Sequence, residues 1–118
     1  MNFTWKSASK TELQLYKSIA LLLNDNESLL RFLFDPQEPK LRKRAGILKE
    51  DSWDLEEEEQ LLIRAALDLW SGSGHLALWE CLERWDRSSW IQFILCMTEL
   101  KEIGPALLTA LHDRSTSN

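Results

Sequence analysis

Few residues in this chain are spaced for catalysis. The two histidines, His75 and His112, lie far apart, and neither has a serine or cysteine in a nucleophile–base arrangement. His75 follows a glycine-rich stretch, where solvent exposure is the ordinary expectation. Cys81 and Cys96 fall inside helical patterns without the paired spacing of a metal site. They read as small buried hydrophobes in a reducing compartment. Glu56, Glu57, Glu58 and Glu59 are consecutive, and consecutive side chains point round a helix instead of converging as a general acid and base must. No phosphate-binding glycine loop of the usual spacing is present. The expectation is a non-catalytic protein with no cofactor and no bound metal.

The segment Leu69 to Glu80, LWSGSGHLALWE, resembles the calcium loop of an EF-hand. Ser71 and Ser73 stand at loop positions three and five, Gly74 at the sixth, Leu76 at the eighth and Glu80 at the twelfth. Position one is Leu69 where the family has aspartate, and hydroxyls replace two carboxylates. Only Glu80 would bring a charged oxygen, and calcium binding draws on several. The stretch is therefore read as a glycine-rich turn between two helices.

Charge is divided unevenly along the chain. The net value is −5, yet residues 1–50 carry nine Lys/Arg against six Asp/Glu, and residues 51–118 carry five against thirteen. Lys40, Arg42, Lys43 and Arg44 form the one cluster suited to phosphate, but nucleic-acid surfaces are usually wider and more uniformly basic. A solvated or ion-paired helix face is the simpler reading, with Glu56–Glu59 available to neutralise it. An acidic second half suits a basic partner, since opposite charge accelerates encounter.

Six tryptophans in 118 residues is a high number. Trp70, Trp85 and Trp90 sit on apolar helical stripes and read as core. Trp5 and Trp53 lie outside the periodic segments, and Trp79 lies at the edge of its helix's apolar face. These three, with Glu56–Glu59, are the candidate partner-binding residues.

The elements that position them are all helical. Leucine dominates the apolar set, only four glycines and three prolines occur, and no strand-like alternation is found. Ser9 and Glu12 form a capping box, Asn24–Asn26 ends the first helix, and Asn26 caps a second through Phe34. Asp35-Pro36 opens a third helix carrying Leu41, Ala45 and Leu48. Ser52 or Asp54 caps a long fourth helix that Gly72 stops. Leu78, Leu82 and Trp85 form the inner face of a short helix. Trp90, Phe93, Ile94, Met97 and Leu100, widened by Ile91 and Leu95, make a helix apolar enough for the domain centre. Pro105 opens a last helix with Leu107, Leu108 and Leu111. The region Asp54–Leu100 thus organises the fold.

The sequence predicts one all-α domain over residues 1–118, a compact orthogonal bundle of five to seven helices of unequal length, with residues 1–8 and 114–118 loose. The N-terminus has no secretory pattern, and the apolar runs are far shorter than the roughly 18 residues that cross a bilayer, so a cytoplasmic protein is expected. The leading functional expectation is a protein-interaction module (adaptor, regulator or immunity-type inhibitor) that meets its partner through an acidic, tryptophan-bearing surface. The alternatives are a homo-oligomer joined by the Phe32–Phe34 segment or the Trp90 helix, and nucleic-acid binding through residues 40–44.

Overall fold

Side-chain oxygens begin the first two helices. In the computed structural model, which describes residues 5–103, Ser9 Oγ accepts from the Glu12 N–H (3.1 Å) while Glu12 Oε1 accepts from the Ser9 N–H (2.9 Å). This reciprocal pair starts α1 (Lys10–Leu22). Asn26 Oδ1 accepts from the Leu29 N–H (3.2 Å) and starts α2 (Glu27–Leu33). Between them Asn24 and Asp25 turn the chain with positive φ, a conformation that these residue types tolerate better than most.

The third helix starts nine residues later than expected, at Ala45 instead of Pro36. Asp35 Oδ1 does accept from the Gln37 (2.8 Å) and Glu38 (3.0 Å) N–H groups, and these donors hold its carboxyl below the usual carboxylate range. No helix follows, because Pro39 disfavours helical geometry at Glu38. The chain instead folds back through Asp35 N–H to the Lys40 carbonyl and Arg42 N–H to the Leu33 carbonyl, with a single bridge between Phe34 and Leu41. Only Ala45–Asp51 is helical, as α3.

A 3-10 turn, Ser52–Asp54, leads into α4 (Glu57–Ser71). Neither Ser52 nor Asp54 caps α4. The Ser52 hydroxyl donates to the Lys49 carbonyl (2.6 Å), and the N-cap position is Glu56, which makes no side-chain cap. Gly72 ends the helix at φ 69°, as its type suggested. Then come α5 (Leu78–Arg84) and α6 (Arg87–Ile103), the latter opened by Asp86 Oδ1 accepting from the Ser89 N–H (2.8 Å).

The described residues thus form an all-α globule of six helices without a strand. Their radius of gyration is 13.4 Å, close to the ~13 Å of a single compact domain of about 100 residues. No helix among them is long and apolar enough to cross a membrane. The last helix expected from Pro105 and the loose tail at 114–118 lie outside the described residues, as do residues 1–4.

The central helix is α4, not α6. It packs on α1, α3, α5 and the 3-10 turn and buries Leu61, Ile63, Ala65, Ala66, Leu67, Leu69 and Trp70. By contrast α6 lies mainly along α1. It buries Phe93, Cys96 and Leu100, while Ile91, Ile94, Leu95 and Met97 are exposed. Cys96 is enclosed where the two helices meet, its thiol donating to the Ser18 carbonyl (3.2 Å). Burial pushes that thiol up to about 12. Both cysteines are buried and free, as expected.

Two aromatic clusters fill the ends of the core. Trp5, Tyr16, Phe34 and Trp70 meet with centroid separations of 4.8–5.9 Å, mostly edge to face. Trp85, Trp90 and Phe93 form the second, at 5.3–6.4 Å. Phe34 and Leu33 are fully enclosed, and half-buried Phe32 is covered by the Arg42 guanidinium 5.7 Å from its centroid. Most of the Phe32–Phe34 segment is therefore built into the fold.

Candidate interaction surface

The α4–α5 connection fixes how α5 is presented. Asp68, on the last turns of α4, receives three loop N–H groups: Oδ1 those of Gly74 (2.7 Å) and His75 (3.0 Å), Oδ2 that of Leu76 (2.9 Å). One turn earlier, Arg64 donates to the Gly74 (3.2 Å) and His75 carbonyls and to Glu80 Oε2 (3.4 Å). An Arg-Asp pair at i, i+4 thus grips the loop by both its donors and its acceptors. Gly74 is required for this approach, since a Cβ there would overlap the Arg64 carbonyl. Lys49 adds a bond to the Ser73 carbonyl (2.9 Å) and lies 3.0 Å from His75 Nδ1.

In the segment that resembles a calcium loop, the side chains turn to protein partners. Glu80 is turned to Arg64, and the Ser71 hydroxyl is buried against its own helix at the Leu67 carbonyl (3.4 Å) and Ser73 Oγ (2.6 Å). Among the described residues no group of three His, Cys, Asp or Glu is placed to hold a metal ion. Asp68 and Arg64, the residues that build the loop, passed unnoticed in the sequence. Their i, i+4 spacing before a glycine turn was the available signal.

So anchored, α5 runs antiparallel to α4. Glu80 pairs with Arg64 near its start and Arg84 with Glu57 near its end, and Trp85 Nε1–H donates to the Glu58 carbonyl (3.2 Å). Only Cys81 and Trp85 turn inward. The expected inner face of Leu78 and Leu82 is instead in water, at 55% and 54% exposure, and Trp79 stands at 71%. The reason is spacing: Cys81 and Trp85 are also four apart, and the small thiol permits close approach to α4.

Reading across α5 on a helical wheel, Leu78 and Leu82 come first, then Trp79, then Glu83 and Glu80. Beyond Glu83 a shallow groove of about 530 Å³ is lined by Glu56, Glu57, Glu58, Glu83 and Arg84. Below it a second, of about 230 Å³, shares Glu57 and Arg84 and continues to Arg64 and Glu80. On the other flank Leu82 borders a groove of about 220 Å³ with Trp85 and Trp90. An apolar ridge therefore stands beside a four-glutamate groove in which Arg84 is already paired.

The sequence-predicted residues divide accordingly. Trp79, Glu56, Glu57 and Glu58 belong to this surface, and Glu59 is half-buried beside it in the chain. Trp53 is as exposed as Trp79, but it sits in the 3-10 turn before α4, and no ring contact joins the two among the described residues. Trp5 is not a surface residue. It is 9% exposed, and its indole N–H donates to the Asp35 carbonyl (2.7 Å) within the first aromatic cluster.

The basic cluster is dispersed. Lys40 meets Glu38 (3.2 Å), Lys43 meets Asp51 (2.9 Å), and Arg42 Nε–H donates to the Phe32 carbonyl (3.2 Å). Lys40 and Lys43 thus pair with Glu38 and Asp51, not with Glu56–Glu59, and most of the cluster lies in the non-helical loop before α3. A further groove of about 470 Å³ between α1 and α2 includes Tyr16, Lys17, Asp25 and Glu27. Burial, with the nearby Asp25 and Glu27 carboxylates, pushes the Tyr16 phenol to about 12, so it stays neutral there.

No protein-family model matches the chain, and no curated protein or solved structure is detectably similar to it.

Proposed function

We propose that this chain is a non-catalytic protein-interaction module whose α5 surface takes a basic partner segment with apolar anchors. The observation that carries the reading is the ridge of Leu78, Trp79 and Leu82, held in water beside the groove of Glu56, Glu57, Glu58 and Glu83. Exposed tryptophan and leucine supply the area that anchors an interface. Glu56, Glu58 and Glu83, outside the Arg84–Glu57 pair, supply the field that orients a cationic partner and accelerates its encounter. An adaptor, a regulator or an inhibitor of a basic protein would each use such a surface.

Selection from a library of displayed random peptides tests it. Enriched peptides should combine Lys or Arg with large apolar residues. Trp79→Ala should weaken their binding about thirtyfold, and Glu83→Lys should slow association most at low salt, with the helical circular dichroism unchanged in both. Peptides that bind the Trp79→Ala, Glu83→Lys double variant as tightly as the wild type would sink the reading.

A further inference from the structure

We infer that the outer face of α6 is the interface of a symmetric, antiparallel homodimer. The face is made of Ile91, Ile94 and Leu95, with Thr98 completing the i, i+3, i+4, i+7 pattern. All four are exposed, and they lie opposite the buried stripe of Phe93, Cys96 and Leu100. The α5 ridge borders a four-glutamate groove that also holds Arg84, whereas the charged residues in line with this face on the helical wheel are Arg87 and Glu102, opposite in sign and at opposite ends. Arg87 stands at the N-terminal end and Glu102 at the C-terminal end, while Asp86, which caps the helix, and Glu99 and Lys101 lie off this line. Neither Arg87 nor Glu102 forms an ion pair with any described residue.

A surface with an apolar centre and opposite charges at its two ends complements itself when turned end for end. A twofold axis crossing α6 near Ile94 and Leu95 lays apolar centre on apolar centre and brings each Arg87 toward the partner copy's acidic end. The contact is isologous, so it closes at two copies. The helix dipoles also oppose one another in this arrangement. One helix face per copy is small for an interface, so the dimer is weak and forms at concentrations on the order of 100 µM.

Light scattering after size exclusion, over a concentration series, tests this. The mass should rise from 13.8 kDa toward twice that value. Ile94→Lys and Leu95→Lys should each remain monomeric throughout while keeping the wild-type circular dichroism. Arg87→Glu should weaken the dimer about tenfold, because symmetry breaks two end pairs at once, and Arg87→Glu with Glu102→Arg should restore it. A wild-type protein that is monomeric at every concentration would overturn the proposal, leaving the face to residues 104–118 or to another protein. So would a dimer that survives Ile94→Lys.

Discussion

Helices α4 and α6 have nearly equal lengths, 15 and 17 residues, and opposite fates. The first turn of α4 is acidic, its middle carries Arg64 and its last turn Asp68, yet it is the buried centre of the fold. The middle of α6, from Trp90 to Met97, has no charged residue, yet only a narrow stripe of it is covered. Apolar content therefore did not decide burial here; the number of neighbours did. Several elements surround α4, and its few charges leave at the seams. With α1 as its main neighbour, α6 keeps apolar side chains in water. Surplus apolar surface of that kind more often marks a contact than a core.

Matched truncations on the two helices would break this contrast most directly. Leu67→Ala on α4 empties a fully enclosed site and should cost about 2–5 kcal/mol. Ile94→Ala on α6, where the side chain is exposed, should stay within about 0.5 kcal/mol. Urea unfolding of dilute protein measures both. Equal losses would mean that α6 is covered in solution by something within the same chain.

The loop grip on α4 predicts a smaller effect. Asp68→Ala removes the acceptor of three backbone N–H groups. It should cost about 2 kcal/mol, because loop amides near the surface partly recover water. Asp68→Asn keeps an acceptor and should lose less. Accelerated amide exchange at Gly74, His75 and Leu76 in the alanine variant would show that the loss is local.

The enclosed side of α6 can be tested by pH. Cys96 is raised from 9.0 to about 12 by burial, with Glu99 adding to it, and Tyr16 from 10.0 to about 12. Between the lower and higher values the unfolded chain releases these protons and the folded chain holds them. Their contribution is thus complete below about pH 9 and is lost as pH rises toward 12. Stability should fall across that window, less steeply in Cys96→Ala. Native Cys96 should also resist thiol reagents at pH 8 until the chain is unfolded. Rapid labelling of the native protein would show that the α1–α6 contact opens.

Legibility in the sequence followed the range of the interaction. Ser9–Glu12 and Asn26 act over three residues, so α1 and α2 were readable. Asp35 makes the same local bonds, but Pro39 lies one residue beyond its capping turn and cancels the helix. Periodicity located α5 and α6 and failed to orient them, because each has more than one apolar face and a pattern does not say which face meets a neighbour. The small residues Cys81 and Cys96 were the better markers, since both are fully buried on the inward sides of their helices. The exposure of Trp79 and Glu56–Glu58 agrees with the sequence expectation. The burial of Trp5 was not legible, since its hydrogen-bond partner lies 30 residues away.

The smallest expected effect separates fold from surface. Trp79→Ala and Trp53→Ala remove the two most exposed large hydrophobic side chains among the described residues, so each should change unfolding free energy by no more than about 0.5 kcal/mol. Buried Trp5→Ala should cost about 3–5 kcal/mol through the four-ring cluster, though all three remove the same side chain. Tryptophan fluorescence adds a second reading. Loss of Trp79 or Trp53 should remove red-shifted emission, and loss of Trp5 should remove blue-shifted emission. If Trp79→Ala instead destabilises the chain as strongly as Trp5→Ala, the α5 ridge is core and the proposed partner surface falls with it. If it leaves stability unchanged, a binding defect in that variant can be assigned to the surface alone.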